Sequence, residues 1–474
     1  MVSLFRMHFR VNSVSLACLL LLFPGISAVG ATVKSADVIV CGGSTAALAT
    51  AFTAAEEGAH VVLIEPTDWI GGQLTSSGVP AVDEAWHQIK PGDSADYAIS
   101  VRDIARDPRN VTPAFRDMLS AIGNPGRGWV SRFCFEPKLL LTNHLDPLER
   151  RLRDRLTVYR NTVIKQVHVD GRRITGVTAI QRIPADTTDG YSRLPSSDLG
   201  DWYSREPSSR FDKKVIEFRG RTENVVFIEA TEWGEVLALT GGDYLQAIDR
   251  GDAAPEYRDD RCGQDTVFGF VQELHERPMS DTAMQPSTEI TDLGWGKYEG
   301  RADVWEKVWT YRRIRAKTTK PSTSDLSLQN WGYSLEHRHG GNDYVAGYLF
   351  LSKSETRKSL DDWQGGVDRQ VMASAEQRAL AWHAWFRSQT PPAVGADRIT
   401  MSKRVLGTGH GLSKLPYIRD TRRSIGIGGF VLKIEDLVGK PNESTGKRFD
   451  DRVAIGCYPA DVHPLTSCQY PKHV

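Results

Sequence analysis

At 474 residues, 40% hydrophobic and 25% charged, the chain is long enough for two or three compact units and has the composition of a globular protein, not a disordered or fibrous one. Lys+Arg and Asp+Glu balance at 59 each, which removes the electrostatic case for nucleic acid or an anionic membrane as the main partner. Function must therefore be read from local sites.

The chain begins with a targeting pattern. Arg6, His8 and Arg10 precede an apolar run from Val14 to Phe23, Pro24 and Gly25 break it, and small residues then offer cleavage after Ala28 or Ala31. The run is about half of the roughly twenty apolar residues that a bilayer span needs. Residues 1–31 are therefore expected to be a signal peptide, the protein to be secreted or periplasmic, and no stable membrane span to form. Export permits disulfides. With Cys18 removed, Cys41, Cys134, Cys262, Cys457 and Cys468 remain, an odd number without metal-finger spacing, so no metal site is expected. Cys457 and Cys468 could pair; Cys41, ending an apolar strand, suits a buried thiol.

Asp37-Val-Ile-Val-Cys41 is a short apolar run of the kind found in strands buried on both faces. Gly42-Gly-Ser-Thr-Ala-Ala47 follows and opens an alanine-rich helix to about Gly58, and Ala59–Ile64 is a second apolar strand ending in Glu65. Strand, small-residue turn, helix, strand and acid in this order predict a dinucleotide-binding βαβ unit. The helix N-terminus offers unpaired N–H groups to a pyrophosphate, small residues let the backbone approach it, and Glu65 is placed for ribose hydroxyls. Gly42, Ser44 and Ala47 fill the three glycine positions of the usual fingerprint, with serine at the second as the departure.

From Asp37 through Gly71-Gly-Gln-Leu-Thr75 the sequence resembles the FAD-dependent oxidoreductase family, whose members resemble the glutathione-reductase class of flavoproteins. The resemblance implies FAD as cofactor. It places Gly42, Gly43, Ser44, Thr45, Ala46, Ala47 and Glu65 at the ADP half, and Gly71, Gly72, Gln73, Leu74 and Thr75 along the pyrophosphate toward the flavin.

Further along, a helical stretch over 138–155 leads to a strand over 156–164 and a hairpin around Asp170-Gly171. The family pattern sets Val163 near adenine, and Val163 equally suits a core position. Residues 182–212, rich in Ser, Asp, Pro and Arg, read as a surface loop insertion. Asn224–Ile228 is another buried strand, entering a turn that resembles the family's return to the cofactor and brings Ala230 and Thr231 to the ADP moiety. Glu232 reads as a helix N-terminal acid or a flavin-side group. Residues 245–400 carry seven tryptophans, which either line a substrate pocket or pack a core. Gly341–Tyr344 matches a short family motif, and His337 and His339 read as surface histidines.

The segments 415–423 and 453–463 carry the second resemblance. Arg419, Arg422 and Arg423 either hold an anionic group or form a charged face with Asp420 and Glu435. Asp461 and His463, two apart in an extended segment, share a face, and a carboxylate-held histidine can serve as acid/base. Arg419, Asp461 and His463 are the candidate catalytic residues.

The expected architecture is α/β: a Rossmann-like, ββα-type FAD-binding domain over 37–244, an inserted α+β substrate or cap domain over 245–400, and a return segment over 401–474. Related chains continue into a further strand and glycine-opened helix, so truncation at Val474 is expected and turnover is conditional on that unit. The expected function is a FAD-dependent oxidoreductase using a small-molecule substrate and an unidentified electron acceptor. The alternatives are a catalytically inactive or truncated homologue acting as a nucleotide-binding module, and a nicotinamide-dependent dehydrogenase, which fits Glu65 but not the Gly71-Gly72 turn.

Overall fold

The computed structural model describes residues 31–82, 112–131, 133–186, 190–248, 259–287, 290, 293, 296, 299–332, 340–433, 436, 449–450 and 462–470. Strands β1 (Thr32–Ala36) and β2 (Val38–Cys41), helix α1 (Thr45–Glu56) and strand β3 (Val61–Ile64) open the chain. β2 and β3 read as unbroken apolar runs because the sheet is buried on both faces. Val40, Val61 and Leu63 pack with Ala47, Leu48, Ala51, Phe52 and Ala55 of α1. Ile39, Cys41, Val62 and Ile64 pack on the opposite side. Ser44 caps α1, its Oγ accepting from the Ala47 N–H at 3.2 Å.

β4 (Leu156–Tyr159), β5 (Thr162–Asp170), β6 (Arg173–Pro184), β7 (Phe211–Gly220) and β8 (Val226–Glu229) complete this half. The parallel sheet runs β8-β2-β3-β4, and a second sheet runs β1-β7-β6-β5. Ala36, Ile164, Val167, Val177, Ala179, Ile216 and Phe218 of the second sheet pack against the face of the parallel sheet opposite α1. The result is the expected ββα layering. The single strand expected over 156–164 is instead two, because Asn161 takes φ 52° and turns the chain from one sheet into the other. The stretch 182–212 is not a loop throughout: β6 reaches Pro184, β7 starts at Phe211, and helix α2 (Pro195–Tyr203) between them buries Leu199, Trp202 and Tyr203. Helix α3 (Glu235–Leu239) follows β8.

The second half is built on β9 (Thr266–Val267), β10 (Phe270–Leu274), α4 (Ala302–Tyr311), β11 (Arg312–Arg315), β12 (Leu326–Gln329), β13 (Asp343–Tyr344), α5 (Arg369–Ser388), β14 (Ile399–Met401) and β15 (Tyr417–Ile418). An antiparallel sheet runs β11-β12-β10-β14, and a smaller one runs β13-β9-β15. The tryptophans here are core. Trp305 stacks on Trp309 at 5.0 Å and on Phe386 at 5.6 Å, and Trp382 stacks on Trp385 at 5.1 Å. Trp309, Trp363 and Trp382 are fully buried, so the pocket reading of these rings is replaced by the packing one. Trp295, His337 and His339 lie outside the described residues.

Two charged or covalent ties fix this half. Arg313 and Asp325, both buried, pair at 2.9 Å, and the guanidinium also holds the carbonyls of Thr318, Thr319 and Lys320. Cys262 is joined to Cys468 across 206 residues, so the partner of Cys468 is not Cys457, which lies outside the described residues. Cys41 and Cys134 are buried free thiols, as expected for Cys41. Among the described residues no helix is long and apolar enough to cross a membrane.

Candidate functional site

The carboxyl end of β2 lies between those of β3 and β8, where the chain order across the parallel sheet reverses, the usual place for a ligand crevice. The Gly42 N–H donates to Ile64 O at 2.8 Å, and the Ala230 N–H donates to Cys41 O at 2.8 Å, so the first turn is clasped from both sides. Ser44 Oγ donates to Ala230 O at 2.8 Å. Gly71 N–H donates to Gly43 O at 2.8 Å, laying the second glycine turn on the first. These turns bound a narrow cleft lined by Gly42, Gly43, Ser44, Glu65, Gly72 and Glu232 among others. The α1 N-terminus, with exposed Thr45 and Ala46, opens beside it.

Glycine is required in the lining. Gly42 has φ +106°, and a Cβ there would overlap the Ala230 carbonyl and come within 2.5 Å of Thr231 Cα; a Cβ on Gly43 would overlap the Glu65 carboxylate. Glu65 accepts from the Thr67 N–H and hydroxyl, both at 2.7 Å. Burial pushes Glu65 up to about 8, against those hydrogen bonds. Burial likewise pushes Glu232 up to about 7, against the Gln73 N–H, and Glu235 up to about 7, against the Tyr203 hydroxyl and Trp363 N–H. The cleft therefore does not confront a pyrophosphate with three full negative charges near neutral pH. A narrow backbone cradle, a helix N-terminus and an acid at the end of β3 fit the ADP half of FAD.

The sequence-predicted residues divide at this cleft. Gly42, Gly43, Ser44, Glu65, Gly72 and Thr231 line it. Gly71 and Ala230 support it through backbone hydrogen bonds. Ala47, Leu74 and Thr75 are buried, Ala47 and Leu74 in the α1-side core and Thr75 with its hydroxyl on Ile70 O. Gln73 is half-buried, and its N–H meets Glu232. Val163 is a core residue in the cluster with Ile180. The acid at the α3 N-terminus is Glu229, whose carboxylate accepts from the Val236 and Leu237 N–H groups at 2.5 and 3.2 Å, whereas Glu232 turns to the Gly72 turn. Trp202 and Tyr203 line the cleft without a motif to announce them, and Trp233 and Leu415, from the two family-like segments, line it as well. Arg182, stacked on Trp202 at 4.0 Å and donating to Pro66 O at 2.7 Å, stands behind it.

A second cluster forms on the β13-β9-β15 sheet. Thr266 pairs with Ile418, which sets Asp265 opposite Arg419, and Val267 pairs with Asp343, which puts Asp343 on the face of Asp265. Arg419 Nη2 meets Asp343 Oδ2 at 2.9 Å, and its Nε meets Asp265 Oδ1 at 3.4 Å. An isolated bridge between Gln264 and Pro464 delivers His463, whose Nδ1 lies 2.9 Å from Asp343 and 3.7 Å from Asp265. Leu415 lines the cleft and Arg419 follows four residues on, so their α-carbons are at most roughly 14 Å apart.

The carboxylate found beside His463 among the described residues is one that sequence reasoning did not pair with it. Asp461 lies outside the described residues, and Asp343, from the Gly341–Tyr344 motif, holds the imidazole. Asp265 was missed because nothing local marks it. Arg422 donates to Trp233 O and Gly366 O, and Arg423 to Ala247 O, whereas Arg419 pairs with this acid cluster. Asp265, Asp343 and His463 bring three ligand atoms within 4.8 Å, close enough for one cation. Arg419 already sits on both carboxylates, and a divalent ion would meet its charge.

Fold and cleft together define a dinucleotide-binding flavoprotein architecture. The chain belongs to the FAD dependent oxidoreductase family, whose model matches residues 37–201 and 210–473, and its cofactor is FAD. No curated protein matches the sequence. Among solved structures it is similar to L-proline dehydrogenase from P. horikoshii (14% identity, 41% of this chain and 22% of that one, TM-score 0.18). It is also similar to a 3-ketosteroid dehydrogenase from Rhodococcus jostii (15% identity, 43% and 47%, TM-score 0.23). A third likeness is to an aromatic hydroxylase from angucycline biosynthesis (10% identity, 65% and 45%, TM-score 0.28). In each case the match spans less than half of the other protein.

Proposed function

We propose that this protein is an exported oxidoreductase that oxidises a small molecule, with Arg419 and His463 at its proton-handling end. The observation that carries the reading is the His463–Asp343 hydrogen bond at 2.9 Å beside Arg419. The Gly42–Ser44 turn and Glu65 would hold FAD, which when bound would supply two-electron acceptance. The protein contributes orientation and proton transfer. Nδ1 of His463 donates to Asp343, which sets the tautomer in which Nε2 is the basic nitrogen, and to that nitrogen we assign the proton released as the substrate is oxidised. Residues 245–400 are assigned to the substrate side.

The test is anaerobic flavin bleaching by candidate small-molecule reductants, in the wild type and in His463→Gln. Bleaching slowed by about 100-fold or more in the variant, with FAD still bound, supports the assignment; equal rates reject it. Export is supported by the basic–apolar–small pattern over 1–31 and by the Cys262–Cys468 disulfide. N-terminal sequencing of protein recovered outside the cytoplasm tests it, and a sequence starting at Met1 would count against it.

A further inference from the structure

A buried donor without an acceptor is costly, and such donors gather around the cleft. Among the described residues, the indole N–H groups of Trp202 and Trp233, both of which line it, have no acceptor. Arg182, 2% exposed, is the third case: Nη2 donates to Pro66 O at 2.7 Å, while Nε and Nη1 have no acceptor among the described residues. Its guanidinium lies 4.0 Å from the centre of the Trp202 ring. Pro66 and Trp202 both line the cleft, so the cation touches two of its lining residues, beside the Glu65 end.

Burial pulls the pKa of Arg182 down, opposed by the hydroxyls of Tyr191 and Tyr203 and by Asp198. Those three groups are engaged elsewhere. The Tyr191 hydroxyl, close to Arg182 but outside hydrogen-bond geometry for Nε and Nη1, donates to Asn161 at 2.7 Å and accepts from the Asp68 N–H at 2.9 Å. Tyr203 donates to Glu235 at 2.6 Å, and Asp198 receives Arg210 at 2.5 Å and Arg193 at 3.5 Å.

The wall that carries Trp202 lies outside the family pattern. The family match omits residues 202–209, and Trp202 and Tyr203, the last two residues of α2, fall in that gap. The helix is fixed in place all the same. Ser196 meets Glu376 of α5 through its N–H at 2.8 Å and its hydroxyl at 2.5 Å, and Lys213 meets Asp201 at 2.9 Å.

We propose that Arg182 and Trp202 form a binding element for the AMP half of FAD, Arg182 through Nε and Nη1 and Trp202 through its indole N–H, and that this element sets a preference for the dinucleotide over FMN. Pro66, whose carbonyl holds Arg182, directly follows Glu65, the acid suited to the adenosine ribose. Phosphate oxygens, ribose oxygens and adenine nitrogens are the acceptors these donors lack, and a guanidinium fork held against an aromatic face is preorganised to meet them. The proposal rests on the cleft's holding the ADP half of FAD and is independent of the role given to His463.

The test compares FAD, ADP and FMN on the apoprotein, by quenching of flavin fluorescence for FAD and FMN and by calorimetry for ADP. Arg182→Met keeps an unbranched chain against Trp202 and removes the N–H groups. It is expected to weaken FAD and ADP alike by about 10- to 100-fold, the loss for hydrogen bonds from a charged donor, with FMN affinity unchanged. Trp202→Phe keeps the aromatic face and is expected to weaken FAD and ADP by about 5-fold, again sparing FMN. Arg182→Lys, which keeps the cation without the fork, serves if thermal unfolding shows that Arg182→Met does not fold, and the same ligand pattern is expected of it. Unchanged ADP affinity in a folded Arg182 variant, or a loss for FMN equal to that for FAD, overturns the proposal. Wild-type protein that bound neither FAD nor ADP would remove the cleft assignment itself.

Discussion

Gly42 and Gly58 make a matched pair. Both have strongly positive φ, +106° and +97°, so alanine at either position imposes backbone strain of about 1–3 kcal/mol. They differ in what the new methyl group meets. At Gly58, past the end of α1, nothing lies within 4 Å; at Gly42 the methyl overlaps the Ala230 carbonyl and lies 2.5 Å from Thr231 Cα. Carbon atoms pack at about 3.5–4.0 Å, so the turn after β8 must retreat by about 1 Å. That retreat breaks the Ser44 hydroxyl bond to Ala230 O and strains the Ala230 N–H bond to Cys41 O, both 2.8 Å. At about 1 kcal/mol per hydrogen bond, Gly42→Ala should bind FAD about 2 kcal/mol, or roughly 30-fold, more weakly than Gly58→Ala. Quenching of flavin fluorescence on titration with apoprotein measures this, with thermal unfolding run alongside. Equal FAD affinities in the two variants would refute the claim that the cleft is closed by backbone contact at Gly42.

Reducing the Cys262–Cys468 disulfide frees a loop of 206 residues, and the chain-entropy relation gives a loss of about 5 kcal/mol in urea unfolding; an unchanged midpoint would contradict it. Glu65 in the apoprotein has a folded value of about 8 against 4.5 unfolded. Folding therefore favours its neutral acid, and the contribution, complete below pH 4.5, is lost as pH rises through 8. Glu65→Gln should flatten that decline in apoprotein unfolding, and an identical slope would remove the assignment. Arg313→Met strands the Asp325 carboxylate in the core and should cost about 3–5 kcal/mol, much of it recovered in Arg313→Met/Asp325→Leu. Chemical denaturation that finds the single and double variants equally stable would show that the pair is not a buried charge couple.

The sequence was most legible where local chemistry repeats a known geometric need. An apolar strand, a turn of small residues, a capped alanine helix and a strand ending in Glu65 leave little freedom, and the cleft at Gly42–Ser44 follows from them. Val163 shows the limit of that logic, since a valine at the right place in a family pattern serves the core equally well. The second cluster was half legible. Arg419 and His463 were visible as residue types, but their carboxylates come from positions 265 and 343, and only the pairing of two-residue strands brings these together. Strands that short have no periodicity to read. The tryptophans of 245–400 were ambiguous for another reason: composition does not tell which side of a helix faces a sheet, and α5 turns Trp382 inward.

The Cys262–Cys468 bond makes a covalent ring of everything between those two residues, and β9 through β15 lie inside it. A single cut in any surface segment of that ring leaves one molecule, with both new ends still joined through sulfur. Nicked protein should migrate as an intact chain until it is reduced. His463 sits five residues inside the closing cysteine, so the histidine stays tethered next to Asp265 even when the backbone leading to it has been severed.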